Sequence, residues 1–571
     1  MKFVKNGTAS TIEEVILANT GISAEEMKKD AEEKKEYSVA GIDKFQKIVE
    51  GHQVIGVAGD YDVDGVTATY IMVSLLKAFK KKVVYRFPKR ISEGFGLSTV
   101  AIEDLAAQGC TLIVTVDNGI AANEAVDLAK QIGMDVVITD HHLPNEILPQ
   151  ADLIIDPNAI EGSADFTDYC GAGIAFKIAE KLVKNASFLR QAVIIAAIGT
   201  VADSVPLLKD NRWIVAEGLR QIRKGKANAG LVALMNKMSI DPEHITEDDI
   251  AFRIAPALNA PGRLVDDGAK IALSTLASTQ STADANAAEL VGFNEQRKKL
   301  VDDAVTRIHE RLAKEGVKCP IIIDETVHEG IIGIVAGQLE EKYRLPAMVL
   351  TETKDGFKGS ARAPKGFHIK EMLDEVSELL VRYGGHAAAA GLTVKKERYE
   401  EFKQALQERF KDYKVPEYAV SYDLEIQEEM LEKTAKTIET YAPYGESNPA
   451  PIVMVKGLTL VPDKDGLLAK PIGENGKTLR FSCINKISAL AFGGTQYYDE
   501  IGRPDQITAV GKVNFNYWNG WVFTQMLLTA FDKAPDSYLS LATLVKNKIS
   551  ALRSDLDPMG SATETDNGDK E

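Results

Sequence analysis

The chain has 571 residues, is 45% hydrophobic and 26% charged, and carries a formal net charge of −16. This length predicts three or four domains. The negative charge argues against a protein that coats nucleic acid, although metal-binding carboxylates would also contribute to it. The sequence shows no apolar run that predicts a membrane helix or a secretion signal. Its four scattered cysteines argue against a cysteine-based zinc site, so we expect a cytoplasmic protein.

In chain order, a charged helical segment is expected first, and short apolar runs begin at residue 53. These runs are "QVIGVAGDYD", "KKVVYRFPKR", "TLIVTVDNG", "MDVVITDHH" and "ADLIIDPN", with helix-like stretches between them. Alternation of short apolar runs with helices predicts a parallel sheet that is covered by helices on both faces. Mainly helical sequence follows, including a long connecting helix, and a second α/β pattern begins at Cys319.

The last third of the sequence no longer alternates between strand-like and helix-like runs. Residues 419–531 contain short β-like runs, and "YWNGW" predicts a hairpin with an Asn-Gly turn. A small barrel of OB type fits this pattern, with aromatic residues as candidates for stacking on bases. The predicted domains are an N-terminal helical segment (1–40), a parallel-sheet domain (41–250), a helical linker (251–318), a smaller α/β domain (319–405), a β-barrel (410–535) and an acidic, disordered tail (536–571).

Acidic residues close several of the predicted strands. The carboxyl ends of parallel strands meet at one edge of a sheet, so these residues are expected to be neighbours in space. They are Asp60, Asp62, Asp64, Asp117 and Asp140, the last followed by His141 and His142; Asp203 could reach the same edge from a helix. Crowded carboxylates repel one another unless a cation lies between them. Aspartate with histidine and no cysteine suits Mn²⁺ or Mg²⁺, and two such ions can hydrolyse a phosphoester.

Each motif taken alone also has a simpler interpretation. An acid after a strand is more often a turn former or a helix cap. "DYDVDG" lacks the later glutamate of a calcium loop, and "VHEGIIGIV" lacks the second histidine of a zinc protease. "CGAGIAF" lacks the third glycine of a dinucleotide site, so it predicts close backbone packing. Several acid-terminated runs in one domain favour a shared metal site over independent caps.

Four of these motifs together resemble the metal-site motifs of the DHH phosphoesterase family: "GDYDVDGVTAT", "TVDNG", "ITDHHLP" and "GTVADSVPL". The first has the form found in the RecJ-type nucleases of that family. "FRIAPALNAPGRL" is similar to the RecJ linker, and "GSARAPKG" with "GGHAAAAG" is similar to the DHHA1 domain. "YAPYGESNPAP" is similar to the entry to the RecJ OB-fold. The similarity spans roughly residues 40 to 530.

The resemblance implies an α/β fold: a parallel-sheet DHH domain, a long helix, a smaller α/β DHHA1 domain and a C-terminal OB-type β-barrel. It implies a 5′→3′ exonuclease that degrades single-stranded DNA in repair and recombination. Two ions of Mn²⁺ or Mg²⁺ would be bound by Asp62, Asp64, Asp117, His141 and Asp203. His142 would stand beside the scissile phosphate, with Asp60 in a supporting role. We expect Asp140 to orient an imidazole or to cap the turn.

The resemblance also implies a site for DNA and its 5′ phosphate. Five residues match family positions of this kind: Arg90, Arg263, Ser360, Arg362 and His386. Guanidinium groups suit this task because they bind phosphate oxygens in a bidentate manner. One departure is Ala257, which stands where the family usually has a polar residue.

Two other functions stay open at this point. One is a DHH phosphodiesterase that acts on short oligonucleotides or cyclic dinucleotides, and the other is a non-catalytic DNA-binding relative. The linker arginines and the barrel disfavour the first, and the complete set of ligand positions disfavours the second. We expect a monomer with single-stranded DNA as substrate, a single-strand-binding protein and a helicase as partners, and no membrane contact. The sequence does not distinguish Mn²⁺ from Mg²⁺, or DNA from RNA.

Overall fold

The computed structural model describes residues 1–90, 93–94, 96–315, 321–410, 413, 419–473, 476–518 and 520–535. The chain divides into two compact units. The larger unit comprises residues 25–417 and 443–448, and the smaller unit comprises 1–24, 418–442 and 449–571. The predicted disordered tail, 536–571, lies outside the described residues, as does Asn519 of the predicted hairpin turn.

The N-terminal segment, expected to be helical, contains a strand as well as helices. Its elements are β1 (Lys2–Lys5), α1 (Ile12–Thr20), α2 (Ala24–Glu32) and α3 (Ile42–Glu50). β1 pairs in parallel with residues 419–422 of the smaller unit. Its partner is therefore distant in sequence, and no local pattern signals the pairing.

Five strands form the predicted parallel sheet, in the order β3-β2-β4-β5-β6. The elements are β2 (Val54–Gly59), α4 (Val63–Ala78), β3 (Lys82–Arg86), α5 (Thr99–Ala107), β4 (Leu112–Val116), α6 (Asn123–Gln131), β5 (Asp135–Thr139) and β6 (Leu153–Ile155). Every residue of β4, "LIVTV", is buried, as expected for a sheet covered on both faces. The strand order changes direction between β2 and β4, and such a switch point opens a crevice at the carboxyl ends of the strands.

Helices complete this domain and lead out of it. They are α7 (Gly171–Leu182), α8 (Ala186–Ala202), α9 (Lys209–Arg223), α10 (Ala229–Lys237), α11 (Glu247–Asp249), a π-helix (Ile250–Ile254), α12 (Ala255–Leu264), α13 (Gly268–Leu276) and α14 (Ala283–Glu315). The apolar sides of α4, α7 and α8 form one buried core with β2 and β4. α14 is the predicted long helix, and its 33 residues span about 50 Å.

The second α/β domain has a five-stranded sheet in the order β10-β11-β9-β8-β7. Its elements are β7 (Ile321–Ile323), α15 (Ile332–Tyr343), β8 (Ala347–Thr353), β9 (Gly356–Arg362), α16 (Ile369–Asp374), β10 (Leu380–Gly385), β11 (Ala389–Val394) and α17 (Tyr399–Phe410), with short 3-10 turns at Ser377–Leu379 and Lys396–Arg398. β7 and β8 run in parallel, and the other neighbours are antiparallel.

The smaller unit is built mainly of strands. A seven-stranded sheet has the order β13-β14-β18-β19-β17-β16-β15. The elements are β12 (Ala419–Tyr422), β13 (Leu424–Ile426), α18 (Leu431–Thr440), β14 (Val453–Thr459), β15 (Ala469–Ile472), β16 (Thr478–Ser482), β17 (Ser488–Ala491), α19 (Thr495–Glu500), β18 (Gln506–Trp518) and β19 (Trp521–Lys533), with 3-10 turns at Glu428–Met430 and Ile484–Lys486. Trp518 pairs with Trp521, so the predicted hairpin is confirmed. Within the described part of the chain, no helix has both the length and the apolarity to cross a lipid bilayer.

Candidate active site

The carboxyl ends of β2 and β4 are tied together at the switch point. Asp117 follows β4 directly and has a φ of 62°, a left-handed conformation that aspartate tolerates better than most residues. Its backbone N–H donates to the Thr139 carbonyl at 3.0 Å. Asn118 Nδ2 donates to the carbonyls of Ala58 (3.1 Å) and Val116 (2.9 Å). The side chain of Asp117 is thereby fixed at the mouth of the crevice.

The acids after β2 lie in a tight turn that opens α4. Asp62 caps this helix, because its Oδ1 accepts a hydrogen bond from Gly65 N at 3.0 Å. Asp60 Oδ1 accepts from Tyr61 N at 2.7 Å. A Cβ on Gly65 would lie 2.4 Å from the Asp60 carbonyl oxygen, so only glycine allows this turn. Asp64 lies in the first turn of the helix and is almost fully buried.

Asp64 is held by the N-terminus of α7. Its two carboxylate oxygens accept hydrogen bonds from Gly171 N (2.6 Å) and Ala172 N (2.9 Å). The positive end of a helix stabilises such a carboxylate. A Cβ on Gly171 would lie 2.5 Å from Asp117 Cβ, and one on Gly199 of α8 would lie 2.8 Å from Asp64 Oδ1. "CGAGIAF" therefore provides the close packing that the sequence predicts, and it also supplies the backbone amides that hold Asp64.

The two histidines lie on the turn after β5, as the sequence predicts. His141 Nε2 is 3.0 Å from Asp117 Oδ1, 3.7 Å from Asp203 Oδ2 and 3.8 Å from Asp64 Oδ2. The rings of His141 and His142 have centroids only 4.4 Å apart. The two rings lie side by side because the strand ends at Thr139, so the alternation of side chains along a strand no longer applies to them.

Asp140 organises this turn. Its Oδ1 accepts hydrogen bonds from His141 N (2.8 Å), His142 N (3.2 Å) and His142 Nδ1 (2.7 Å), and its Oδ2 accepts from Ile120 N (2.9 Å). The hydrogen bond to Asp140 raises the pKa of His142 to about 9. His142 is 57% exposed, whereas Asp140 is buried. The buried carboxylate of Asp140 therefore fixes the orientation of the His142 ring.

The donor set fits divalent cations with a preference for oxygen. Asp64, His141 and Asp203 can place one ligand atom each within 4.8 Å of one another, and so can Asp117, His141 and His142. Burial, followed by the charges of neighbouring carboxylates, raises the pKa of Asp203 to about 8 and that of Asp117 well above its usual range. A bound cation would offset this repulsion. Carboxylate and imidazole ligands without thiolate suit Mn²⁺ or Mg²⁺.

Asp60 and Asp62 border this cluster. Burial, followed by the charge of Asp64, raises the pKa of Asp62. Burial, followed by the charge of Asp62, raises the pKa of Asp60 to about 7. Both carboxyl groups also interact electrostatically with His142. The structure therefore brings together all the acids and imidazoles that the sequence assigns to this edge.

Arginine side chains gather near the same turn. The Arg90 guanidinium lies 4.7 Å from the centroid of the Tyr61 ring, which is a cation–π contact. Burial, followed by the charge of Arg90, lowers the pKa of Arg263 to about 10. Arg263 lies near the C-terminal end of α12 and interacts electrostatically with Asp62. These two predicted phosphate ligands are therefore neighbours of each other and of the carboxylates.

The other predicted phosphate ligands lie in the second α/β domain. Arg362 Nη1 donates to Ser360 Oγ (2.9 Å) and to the Ala361 carbonyl (2.8 Å). His386 is exposed on the turn between β10 and β11, and Ala389 at the start of β11 pairs with Arg362. Ser360, Arg362 and His386 thus share one end of this sheet.

Comparisons with known proteins agree with this architecture. The N-terminal domain of the DHH family matches residues 54–200, the DHHA1 domain matches 311–412, and the RecJ OB domain matches 422–530. The single-stranded-DNA-specific exonuclease RecJ of Salmonella typhimurium is 32% identical over 72% of this chain and 77% of its own length. The chain belongs to the RecJ family. RecJ of Bacillus subtilis is also 32% identical, over 85% of this chain, which spans 62% of that relative.

A solved RecJ structure supports the same conclusion at the level of the fold. RecJ from Thermus thermophilus, in complex with Mn²⁺, has a TM-score of 0.74 and 25% identity, and the match covers 92% of this chain and 79% of that one. The predicted fold class, a DHH domain and a DHHA1 domain with a C-terminal OB domain, is thereby confirmed, and the RecJ resemblance read from the motifs is confirmed with it.

Arg297 lies close to the predicted phosphate ligand Arg263, and the sequence interpretation did not single it out. It lies on α14, where its Nε and Nη2 donate to Asn294 Oδ1 at 3.1 and 2.9 Å. Its charge helps to lower the pKa of Arg263, which shows that the two guanidinium groups are close. The signal available in the sequence was the spacing of Asn294 and Arg297, three residues apart on one helix face. That spacing is too common to single out a residue.

Proposed function

We propose that the cluster at the carboxyl edge of the parallel sheet is the catalytic centre of a metal-dependent exonuclease that releases mononucleotides from the 5′ end of single-stranded DNA. The observation that carries the proposal is the convergence of Asp64, His141 and Asp203, from three separate elements, to within 4.8 Å. Membership of the RecJ family supplies the substrate class, because the relatives are named as single-stranded-DNA-specific exonucleases.

Five side chains would hold two ions of Mn²⁺ or Mg²⁺: Asp62, Asp64, Asp117, His141 and Asp203. When bound, the ions make a bound water more acidic and neutralise charge on the phosphate oxygens. Asp117 would hold the ions together with His141, which it contacts, and with Asp64 and Asp62, its strongest carboxylate neighbours. The amides of α7 keep Asp64 oriented towards the cluster.

His142 is assigned to the scissile phosphate. Asp140 engages its Nδ1 and so directs the ring, and more than half of the side chain is exposed next to the cluster. A hydrogen-bond donor in this position stabilises negative charge as it develops on the phosphate oxygens. Asp60, beside Asp62 and His142, supports this arrangement.

The polarity of cleavage follows from the second group of residues. We propose that the 5′ phosphate is bound by Arg90, Arg263, Ser360, Arg362 and His386. Within the described ranges, none of these arginines forms a salt bridge with a carboxylate. Their guanidinium groups are therefore available to an external anion, and a guanidinium group can bind phosphate oxygens in a bidentate manner.

The test compares 5′-phosphorylated single-stranded and duplex oligonucleotides in the presence of Mn²⁺. Asp62→Ala and His142→Ala are the test variants, and Asp127→Ala and His368→Ala are the controls, because both control residues are exposed and lie outside the cluster. We expect mononucleotides from single strands with the wild type and the controls, and a large loss in both test variants. Hydrolysis of dinucleotides alone would instead identify the chain as a phosphodiesterase of short oligonucleotides.

We also propose that the protein works as a monomer in the cytoplasm during DNA repair and recombination. A helicase would expose the strand, and a single-strand-binding protein would cover it until hydrolysis. Light scattering measures the molar mass and so tests the monomer. A pull-down with each purified partner, with and without DNA, tests the contacts with the helicase and with the single-strand-binding protein.

A further inference from the structure

Residues 328–333, which form the end of the β7–α15 loop and the start of α15, contact both halves of the proposed phosphate site. A Cβ on Gly330 would lie 1.7 Å from the Arg263 carbonyl oxygen and 2.7 Å from its carbonyl carbon. No side chain fits at such a distance. The backbone of this segment therefore rests directly on the backbone of α12, next to the arginine that the DHH side contributes.

The other end of the segment touches the second half of the site. A Cβ on Gly333, in the first turn of α15, would lie 3.0 Å from Arg362 Nη2 and 3.2 Å from Ser360 Oγ. Two glycines three residues apart thus contact, respectively, the backbone of Arg263 and the side chains of Ser360 and Arg362. Residues 328–333 therefore lie between Arg263 and the Ser360–Arg362 pair and contact both.

Several contacts make this segment rigid. Ile331 and Ile332, between the two glycines, are 1% and 5% exposed and pack in a core that also contains Leu264, the residue after Arg263. His328 Nδ1 accepts from Gly330 N at 3.1 Å. Glu329 forms a 2.6 Å salt bridge with Lys358, which lies on the same strand as Ser360 and Arg362. Each half of the site is anchored to the segment independently.

We propose that Gly330 and Gly333 are positioning residues that set the distance between Arg263 and the Ser360–Arg362 pair, and through it the preference for a 5′-phosphorylated end. This inference rests on the proposed function. Cations that face one small anion repel one another, so packing has to hold them in place. A tetrahedral phosphate is contacted from both sides only at one spacing, and small displacements cost binding.

The experiment measures kcat/KM on single strands that carry either a 5′ phosphate or a 5′ hydroxyl. Gly333→Ala pushes against the movable tips of two side chains, and we expect it to lower the phosphate-to-hydroxyl ratio about ten-fold, equivalent to one hydrogen bond to a charged group. The loss of kcat/KM should be larger on the phosphorylated strand than on the hydroxyl strand. Gly337→Ala, in the same helix, is the matched control, because its Cβ meets nothing within 4 Å.

Gly330→Ala is the severe variant, and its thermal unfolding is measured first because a backbone clash can prevent folding. Gly333→Ala decides the question if Gly330→Ala does not fold. An unchanged ratio in Gly333→Ala, or an equal loss on both strands, overturns the inference. A wild type that cleaves single strands without preferring a phosphate also overturns it and leaves the nuclease proposal intact.

A binding measurement separates the two proposals further. The anisotropy of labelled 5′-phosphate and 5′-hydroxyl strands, recorded with a chelator present, reports end recognition without hydrolysis. A wild type without nuclease activity would refute the proposed function. The binding ratio of wild type to Gly333→Ala would still show whether the two glycines set the recognition of the phosphate.

Discussion

Replacing Gly171 with alanine should damage the metal site while the fold is retained. Gly171 N donates to Asp64 Oδ2 at 2.6 Å, and the new methyl group would lie 2.5 Å from Asp117 Cβ. Both neighbours are proposed metal ligands, and both are almost fully buried. The methyl group therefore has no open space to enter and must separate α7 from the strand ends.

The size of the effect follows from these distances. Ordinary van der Waals contact begins at 3.4 Å, so relief of the 2.5 Å contact requires a displacement of about 0.9 Å. Overpacking of this kind costs about 1–3 kcal/mol of unfolding free energy. A misplacement of about 1 Å in a catalytic group can cost about 100-fold in rate. We therefore expect kcat to fall about 100-fold.

The assay needs two measurements and one control. Mn²⁺ binding, measured by titration calorimetry, should weaken together with kcat, because displacement of α7 moves the backbone amide of residue 171 away from Asp64. Gly218→Ala is the matched control: its Cβ would lie 2.3 Å from Ala197 Cβ on α8, a similar clash that involves no carboxylate. It should lose comparable stability but keep Mn²⁺ binding. Equal Mn²⁺ affinity in wild type and Gly171→Ala would refute the reasoning.

Three further substitutions test other parts of the molecule. Arg297→Ala should raise KM for 5′-phosphorylated strands several-fold in steady-state kinetics and leave thermal stability nearly unchanged. A loss of thermal stability with an unchanged KM would contradict a role for Arg297 in DNA binding. Trp521→Ala, which removes a 69% exposed ring, should weaken binding of single-stranded DNA by about 1–3 kcal/mol in an anisotropy titration if that ring stacks on a base. Glu428 is buried and its pKa is raised to about 7, mainly by desolvation, so the folded state keeps a proton that the unfolded state releases above about pH 4.5. The unfolding free energy should therefore fall as pH rises from about 4.5 to 7. Denaturant titrations should show a smaller pH dependence of this free energy in Glu428→Gln, and an equal pH dependence in the two proteins would refute the prediction.

The carboxylate cluster is predictable from the sequence because two simple rules meet there. Asp60 and Asp117 close apolar runs, and parallel strands end at a common edge. Neither rule needs knowledge of the packing. The turn that holds His141 and His142 is predictable for the same reason, since the apolar run stops at Thr139.

The contacts that hold the cluster in place are not predictable in this way. The amide of Gly171 reaches Asp64 across 107 residues of sequence, and this contact depends on how closely two helices pack. The role of Arg297 depends on the path of α14. The nearness of the two imidazole rings depends on Asp140, whose three hydrogen bonds with His141 and His142 shape the turn. Local patterns give the residue types at a site, and tertiary packing gives their distances.

The pairing of β1 with β12 bears on the order in which the protein folds during synthesis. Asn6, just after β1, donates to Asp423 across 417 residues. At about 5–20 residues per second, a ribosome needs roughly 20–80 s to make the partner strand after the first one has emerged. The larger unit draws nearly all of its residues from the interval between them. We therefore expect the DHH and DHHA1 domains to be folded before the first strand finds its partner, so the smaller unit is completed last.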